Sequence, residues 1–120
     1  MPAAAAPEYA ARVLSPSHLP PSSARALLGV CFDLDDTLLD EGRLTRGALD
    51  ALYRLDDAGL ILVGATGRPA AWGQVLARQW PVSGIVTENG IIALLRRRGR
   101  IEVLDRVDRL ERAARRLQLM

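Results

Sequence analysis

The sequence predicts an α/β fold built on a doubly wound parallel sheet. Three apolar segments, at residues 28–34, 61–65 and 84–87, have the length of buried strands, and the segments between them have helical character. Strands that alternate with helices in this way form parallel sheets. The chain has 120 residues, 49% hydrophobic and 25% charged, which is enough for one globular domain with its own core.

The residues before the first strand, 1–27, are rich in Ala, Pro and Ser and predict a flexible leader. They lack the basic start and the continuous apolar core of a signal peptide. No apolar segment of the chain is long enough to span a membrane. We therefore expect a cytoplasmic protein without a membrane partner.

Two helices are predicted between the strands. A loop follows the first strand, and Thr45 is then a suitable N-cap for a helix over 46–58 that ends at Gly59. A second helix over 69–79 begins with a proline, which suits a first helical turn, and stops before Pro81. This element order brings the carboxyl ends of the strands to one edge of the sheet.

Residues 91–120 predict a β-hairpin and a final helix. The hairpin has arms at 91–95 and 101–104 and an Arg-rich, solvated tip, and an Asn-Gly turn precedes it. Asp105 is a suitable N-cap for a helix over 106–119. That helix is amphipathic and short, so we expect it to self-associate or to fray. Its apolar seam consists of Val107, Leu110, Ala114 and Leu117.

Three side chains are expected to be buried. Cys31 lies inside the first strand and is interpreted as a small apolar residue, while Trp72 and Trp80 are expected to pack on the sheet.

All 16 basic residues other than the single His are Arg, and the net charge is only +2. This balance gives no nucleic-acid-binding signature, so we expect no nucleic-acid partner.

The first strand ends in crowded carboxylates, which folding alone does not explain. Asp33, Asp35 and Asp36 repel one another and resist desolvation. Strand alternation puts Asp33 and Asp35 on the same side, at the end where ligands bind in open α/β sheets. Two such carboxylates can hold a divalent cation, or act as nucleophile and acid/base.

The second strand ends in Thr66-Gly67-Arg68-Pro69, a pattern suited to an oxyanion. The Thr hydroxyl can donate a hydrogen bond, Gly allows close backbone approach, and the first helical N–H groups add positive charge. The third strand ends at Thr87-Glu88. We expect Asp33, Asp35, Thr66 and Glu88 to gather at one edge of the sheet.

These motifs together resemble the haloacid dehalogenase (HAD) superfamily. Asp33-Leu34-Asp35-Asp36-Thr37 is similar to its DxDxT signature, and Thr66-Gly67-Arg68-Pro69 to the second motif of its Cof-type, class IIB members. Glu88-Asn89-Gly90 resembles the stretch after their third strand. The resemblance implies a HAD-like, Rossmannoid core over 28–90, followed over 91–120 by the hairpin and the start of a cap.

The resemblance implies a Mg²⁺-dependent phosphohydrolase for a small phosphorylated metabolite, with a sugar phosphate as the first choice. Asp33 would be the nucleophile that forms an aspartyl-phosphate, and Asp35 the acid/base. Mg²⁺ would bind the Asp33 carboxylate and the Asp35 backbone carbonyl. The phosphate-binding residues would be Thr66, Gly67 and Thr37, and the residues that contact substrate or cap would be Arg68 and Asn89.

The chain also departs from the family pattern. It contains no Lys for the third motif and no acidic pair in the place of the fourth, so the resemblance covers only the front half of a cap-bearing protein. This implies an incomplete chain, and a catalytically incomplete binding or vestigial module is the main alternative. A phospho-accepting receiver domain is a remote one, because it needs its Asp at the end of the third strand and a Lys beyond it.

Overall fold

The computed structural model describes residues 13–105 and 109–118. Its seven strands are β1 (Gly29–Asp33), β2 (Leu39–Asp40), β3 (Arg43–Leu44), β4 (Ile61–Ala65), β5 (Gly84–Thr87), β6 (Ile92–Arg97) and β7 (Arg100–Asp105). The helices are α1 (Pro21–Ala26), α2 (Arg46–Asp57), α3 (Ala70–Gln79) and α4 (Arg109–Gln118).

Five strands form one mixed sheet in the order β1-β4-β5-β6-β7. The first three are parallel, and β6 and β7 are antiparallel to their neighbours. The α/β class, the parallel strands and the hairpin are therefore confirmed. Strands β2 and β3 form a separate small hairpin where the sequence predicted only a loop.

Helices α2 and α3 lie on the same face of the sheet. Both connect neighbouring parallel strands and step in the same direction, and right-handed crossovers of this kind place their helices on one side. The burial pattern agrees, because residues of both helices join one core cluster with residues of the strands. Its buried members are Leu34, Leu39, Leu52, Leu62, Leu76, Ala77, Trp80, Val82 and Ile85.

The expectation that Cys31 is buried is wrong: its side chain is exposed. Cys31 pairs with Val63, and both point away from the helices, because Leu62 beside Val63 belongs to the helix-covered core. An apolar residue in a strand is buried only if its face is covered, and no helix covers this face within the residues described.

The helix boundaries follow the local signals closely. Thr45 Oγ1 accepts a hydrogen bond from Ala48 N at 3.2 Å, which confirms the predicted N-cap of α2. Helix α3 begins at Ala70, one residue later than expected, with Pro69 in the N-cap position. A Cβ atom at Gly73 would collide with Leu94 Cδ1 and Thr87 Cγ2, so glycine lets α3 approach the sheet.

The two Trp side chains differ. Trp80 is buried, as expected, with 8% of its surface exposed, but Trp72 is 51% exposed and is not part of the core cluster. Trp72 lies in the first turn of α3, which begins beyond the carboxyl end of β4. The residue is therefore near the strand ends and outside the core cluster.

Both ends of the described chain carry helices with exposed side chains. A 3₁₀ turn at Pro16–His18 and helix α1 contain no buried residue, and residues 1–12 lie outside the described part. The sequence had predicted only a flexible leader there. In α4, Ala114 is exposed and Leu117 is 73% exposed. Residues 106–108 lie outside the described part, and they include the predicted helix start after Asp105 and the seam residue Val107. The side chain of Leu110 is also not described.

Candidate active site at the strand ends

The carboxyl ends of β1, β4 and β5 surround an open cavity of about 380 Å³. Parallel strands bring these ends to the same edge of the sheet. The cavity collects residues from three separate segments that are up to 57 positions apart in sequence (90 − 33). It is lined by Asp33, Ala65, Thr66, Gly67, Val86, Asn89 and Gly90.

Asp33 is the last residue of β1, and its side chain is exposed at the cavity. The hydroxyl of Thr37 donates a hydrogen bond to Asp33 Oδ2 at 3.0 Å. Thr37 N–H in turn donates to the carbonyl of Leu34 at 3.3 Å, which fixes the turn. Thr37 therefore orients one carboxylate oxygen, and within the described residues no side-chain hydrogen bond engages the other.

Asp35 lies beyond the strand, so strand alternation does not place it beside Asp33. Strand β1 ends at Asp33, Asp35 forms an isolated bridge with Leu39, and Asp36 has the left-handed φ of 59°. The carboxylate of Asp35 contacts Arg68 instead. Arg68 Nε donates to Oδ2 at 2.9 Å and Nη2 donates to Oδ1 at 2.5 Å.

This bidentate pair changes the protonation equilibrium of Asp35. The hydrogen bonds from Arg68 hold the pKa of the Asp35 carboxyl below its usual value; desolvation opposes this effect, and the positive charge of Arg68 reinforces it. The pair is partly open to solvent, with 24% of the Arg68 side chain and 45% of the Asp35 side chain exposed. Asp35 is thus held as the anion in this arrangement.

The Trp72 ring provides a second contact for the guanidinium group of Arg68. The guanidinium carbon of Arg68 lies 4.7 Å from the centroid of the Trp72 ring, within the range of a cation–π interaction. The sequence analysis missed this role for Trp72. The available signal was the spacing of four between an Arg and a Trp across a helix start.

Thr66 is almost fully buried and has its backbone held from two sides. Its N–H donates to the Val86 carbonyl at 2.8 Å, and its carbonyl accepts from Asn89 N–H at 3.4 Å. Its hydroxyl oxygen accepts from Arg68 N–H at 3.1 Å. Because that bond uses a lone pair, the hydroxyl proton is left to donate to a group in the cavity.

Gly67 and Asn89 meet across the cavity. A Cβ atom at position 67 would lie only 2.9 Å from Asn89 Oδ1, so any larger residue there would displace the Asn89 side chain. Asn89 has a φ of 55°, which this residue tolerates better than most. Glu88 is not among the residues lining the cavity, and its N–H donates to the Arg68 carbonyl at 3.0 Å.

The oxygen donors at this edge have the right chemistry for Mg²⁺ but are few. Mg²⁺ in proteins binds one or two carboxylates and keeps several waters. Asp33 offers a free carboxylate oxygen, whereas both oxygens of Asp35 are engaged by Arg68. Among the residues that the structure describes, no three His, Cys, Asp or Glu side chains form a metal-binding group.

Comparison with known proteins identifies relatives of this chain. The family model of haloacid dehalogenase-like hydrolases matches residues 30–107. A HAD superfamily phosphatase from Bacteroides thetaiotaomicron superimposes with a TM-score of 0.58 at 25% identity, over 86% of this chain. A protein of unassigned function from Geobacillus kaustophilus gives a TM-score of 0.56 at 25% identity, over 77% of this chain.

The chain spans 38% and 36% of the lengths of those two structures. The comparison with curated proteins gave no match. Within residues 13–105 and 109–118, no helix has the length and apolar character needed to cross a bilayer.

Proposed function

The chain belongs to the haloacid dehalogenase-like hydrolase family, and on this basis we propose that it carries the nucleophilic half of a phosphatase active site. The reaction is Mg²⁺-dependent hydrolysis of a small phosphate monoester, with a sugar phosphate as the first substrate to test. Because the chain spans 38% of the phosphatase that it resembles, this activity is proposed for the complete protein. A cytoplasmic location and a small phosphorylated metabolite as partner belong to the same proposal.

The observation that supports this proposal best is the pairing of Asp33 with Thr66 across one cavity. A carboxylate oxygen of Asp33 attacks phosphorus, and the bond from phosphorus to the ester oxygen breaks. Thr37 donates to Oδ2 of Asp33 and so orients the carboxylate for this attack. Thr66 donates its hydroxyl proton to a phosphoryl oxygen, and Gly67 allows the backbone to approach that group.

Asp35 is proposed as the acid/base of both steps. It gives a proton to the departing ester oxygen and then takes a proton from the water that attacks phosphorus and releases Asp33. In its contact with Arg68 the carboxylate is anionic and both of its oxygens are occupied. Asp35 must therefore leave Arg68 before it can carry a proton.

The residues that would hold Mg²⁺ are Asp33, through its carboxylate, and Asp35, through its backbone carbonyl. When bound, the cation neutralises charge on the transferring phosphoryl group. Arg68 and Asn89 are proposed to contact the substrate or a cap.

The test is phosphate release from p-nitrophenyl phosphate by the complete protein with Mg²⁺. Asp33→Asn removes the nucleophile and should lower kcat by at least about 10³-fold. Asp36→Asn is the matched control, because it makes the same charge change at a neighbouring exposed residue, and Asn tolerates the left-handed φ. Unchanged turnover in Asp33→Asn would mean that another group attacks phosphorus.

A catalytically incomplete module that only binds is the second candidate for the 120-residue chain itself. Within the described residues the cavity lining includes neither a second carboxylate nor a cationic side chain. We expect the purified chain to be a poor catalyst for this reason. Turnover by this chain that saturates with Mg²⁺ would contradict the expectation. The receiver-domain alternative gains no support from the comparisons.

A further inference from the structure

We propose that Arg68 exchanges partners: it binds Asp35 when the cavity is empty, and phosphoryl oxygens when a phosphate group occupies it. This inference rests on the proposed function and adds a second role for this residue. Arg68 would supply the positive charge that the cavity otherwise lacks among the described residues, and its departure would release Asp35.

The charge of Arg68 is held beside the cavity rather than in it. Thr66 and Gly67 line the cavity, but among the described lining residues neither Arg68 nor Asp35 is included. The guanidinium contacts both the Asp35 carboxylate and the Trp72 ring. A Cβ atom at Gly42 would lie 3.9 Å from Arg68 Nη2, so the β2–β3 hairpin also passes close to the guanidinium.

We expect the exchange to need only side-chain rotation, because Arg68 directly follows Thr66 and Gly67, which line the cavity. Arg68 N lies 3.1 Å from Thr66 Oγ1, and the Arg68 carbonyl accepts from Glu88 N–H at 3.0 Å. These bonds fix the Cα atom beside the group that we propose to bind phosphate. From there the long side chain can turn from Asp35 toward the cavity.

A phosphate dianion is a stronger partner for Arg68 than Asp35 is. The guanidinium fork fits two phosphate oxygens as well as it fits a carboxylate, and the dianion carries twice the charge. The competing ion pair is partly solvated, with Asp35 45% exposed, and pairs of this kind are weakly held. The balance should therefore shift when phosphate binds.

Trp72 offers an optical signal for this exchange. Its ring contacts the guanidinium at 4.7 Å, and half of its surface is exposed, so movement of the cation changes its environment. Trp80, the other Trp, is buried beyond the far end of α3. Phosphate should therefore alter the emission of the wild-type chain but not that of Trp72→Phe.

The experiment titrates the 120-residue chain with inorganic phosphate in the presence of Mg²⁺, by calorimetry and by Trp emission. Thr66→Val should abolish binding, and Arg68→Met should weaken it by about tenfold. Arg78→Met is the matched control, because Arg78 is an exposed residue in the last turn of α3. It should leave the affinity within about twofold of the wild type.

A double-mutant cycle separates exchange from simple repulsion. Asp35→Asn removes the competitor, so it should tighten phosphate binding roughly threefold in the wild-type chain and have no such effect beside Arg68→Met. Equal tightening in both backgrounds would overturn the inference. So would an equal loss in Arg68→Met and Arg78→Met, or phosphate binding that leaves Trp72 emission unchanged.

The outcomes also separate this inference from the proposed function. Phosphate binding that depends on Thr66 but not on Arg68 would contradict only the exchange. Absence of binding to the wild-type chain would contradict the exchange, while the activity proposed for the complete protein is tested separately by phosphate release from p-nitrophenyl phosphate. The emission titration needs no Arg68 variant, so the exchange is testable even if Arg68→Met does not fold.

Discussion

The two faces of the sheet have similar sequences and opposite surroundings. On β4, Leu62 faces the helices and is 1% exposed, while its neighbour Ile61 faces the other side and is 55% exposed. On the second face, Val86, Ala93 and Leu104 lie side by side in register and border an apolar cavity of about 290 Å³. Apolar composition alone therefore does not say which face carries the stability of this chain.

Truncation on each face is the strongest test of this difference. Leu62→Ala leaves a cavity in the core beneath the helices and should cost about 2–5 kcal/mol of unfolding free energy. Ile61→Ala, next to it on the open face, should cost about 1 kcal/mol or less. Urea unfolding measures both. Equal costs would show that the second face is covered in solution.

A glycine substitution gives the next largest effect and probes how closely α3 approaches the covered face. Gly73→Ala places a methyl group against Leu94 and Thr87, and this overpacking should cost about 1–3 kcal/mol despite the better helix propensity of Ala. Gly47→Ala in α2 meets nothing within 4 Å and should stabilise the fold by up to about 1 kcal/mol. Thermal unfolding should show shifts of opposite sign; a neutral Gly73→Ala would mean that α3 has room to move away.

The Asp35–Arg68 pair, at the carboxyl ends of the strands, should contribute less to stability than the covered face. Its contribution should depend on pH. Arg68 lowers the pKa of Asp35 in the folded state, so the pair stabilises the fold above the unfolded-state pKa of about 4 and loses that effect as the pH falls. The Tm difference between wild type and Asp35→Asn should be constant near neutral pH and shrink below about pH 4. A difference that grows on acidification would contradict the assigned sign.

Alkylation of Cys31 tests whether the open face is accessible to solvent, and it should not change the stability of the fold. Because its thiol is exposed on that face, native protein should react with iodoacetamide within about tenfold of the rate in denaturant. Mass spectrometry follows the reaction, and the modified protein should unfold at the same temperature. Strong protection of Cys31 would instead indicate that another chain or segment covers this face.

Local chemistry was enough to predict most of the elements. Strand β4 and strand β5 have the predicted bounds, and the Thr45 cap, the Asn89-Gly90 turn and the hairpin after it follow from short-range signals. The convergence of Asp33 and Thr66 was also predictable, because the carboxyl ends of parallel strands share one edge. The roles of these residues in catalysis stay predictions until the substitutions are measured.

Contacts between distant segments depend on the tertiary structure. Asp35 and Arg68 belong to separate motifs, 33 positions apart in the sequence. No short-range sequence signal indicates that they form a bidentate pair beside Trp72. Cys31 lies in an apolar strand, but its exposure depends on whether a helix covers that face. Periodicity, caps and turns are encoded by neighbours in the chain; burial and ion pairing depend on what the fold brings alongside.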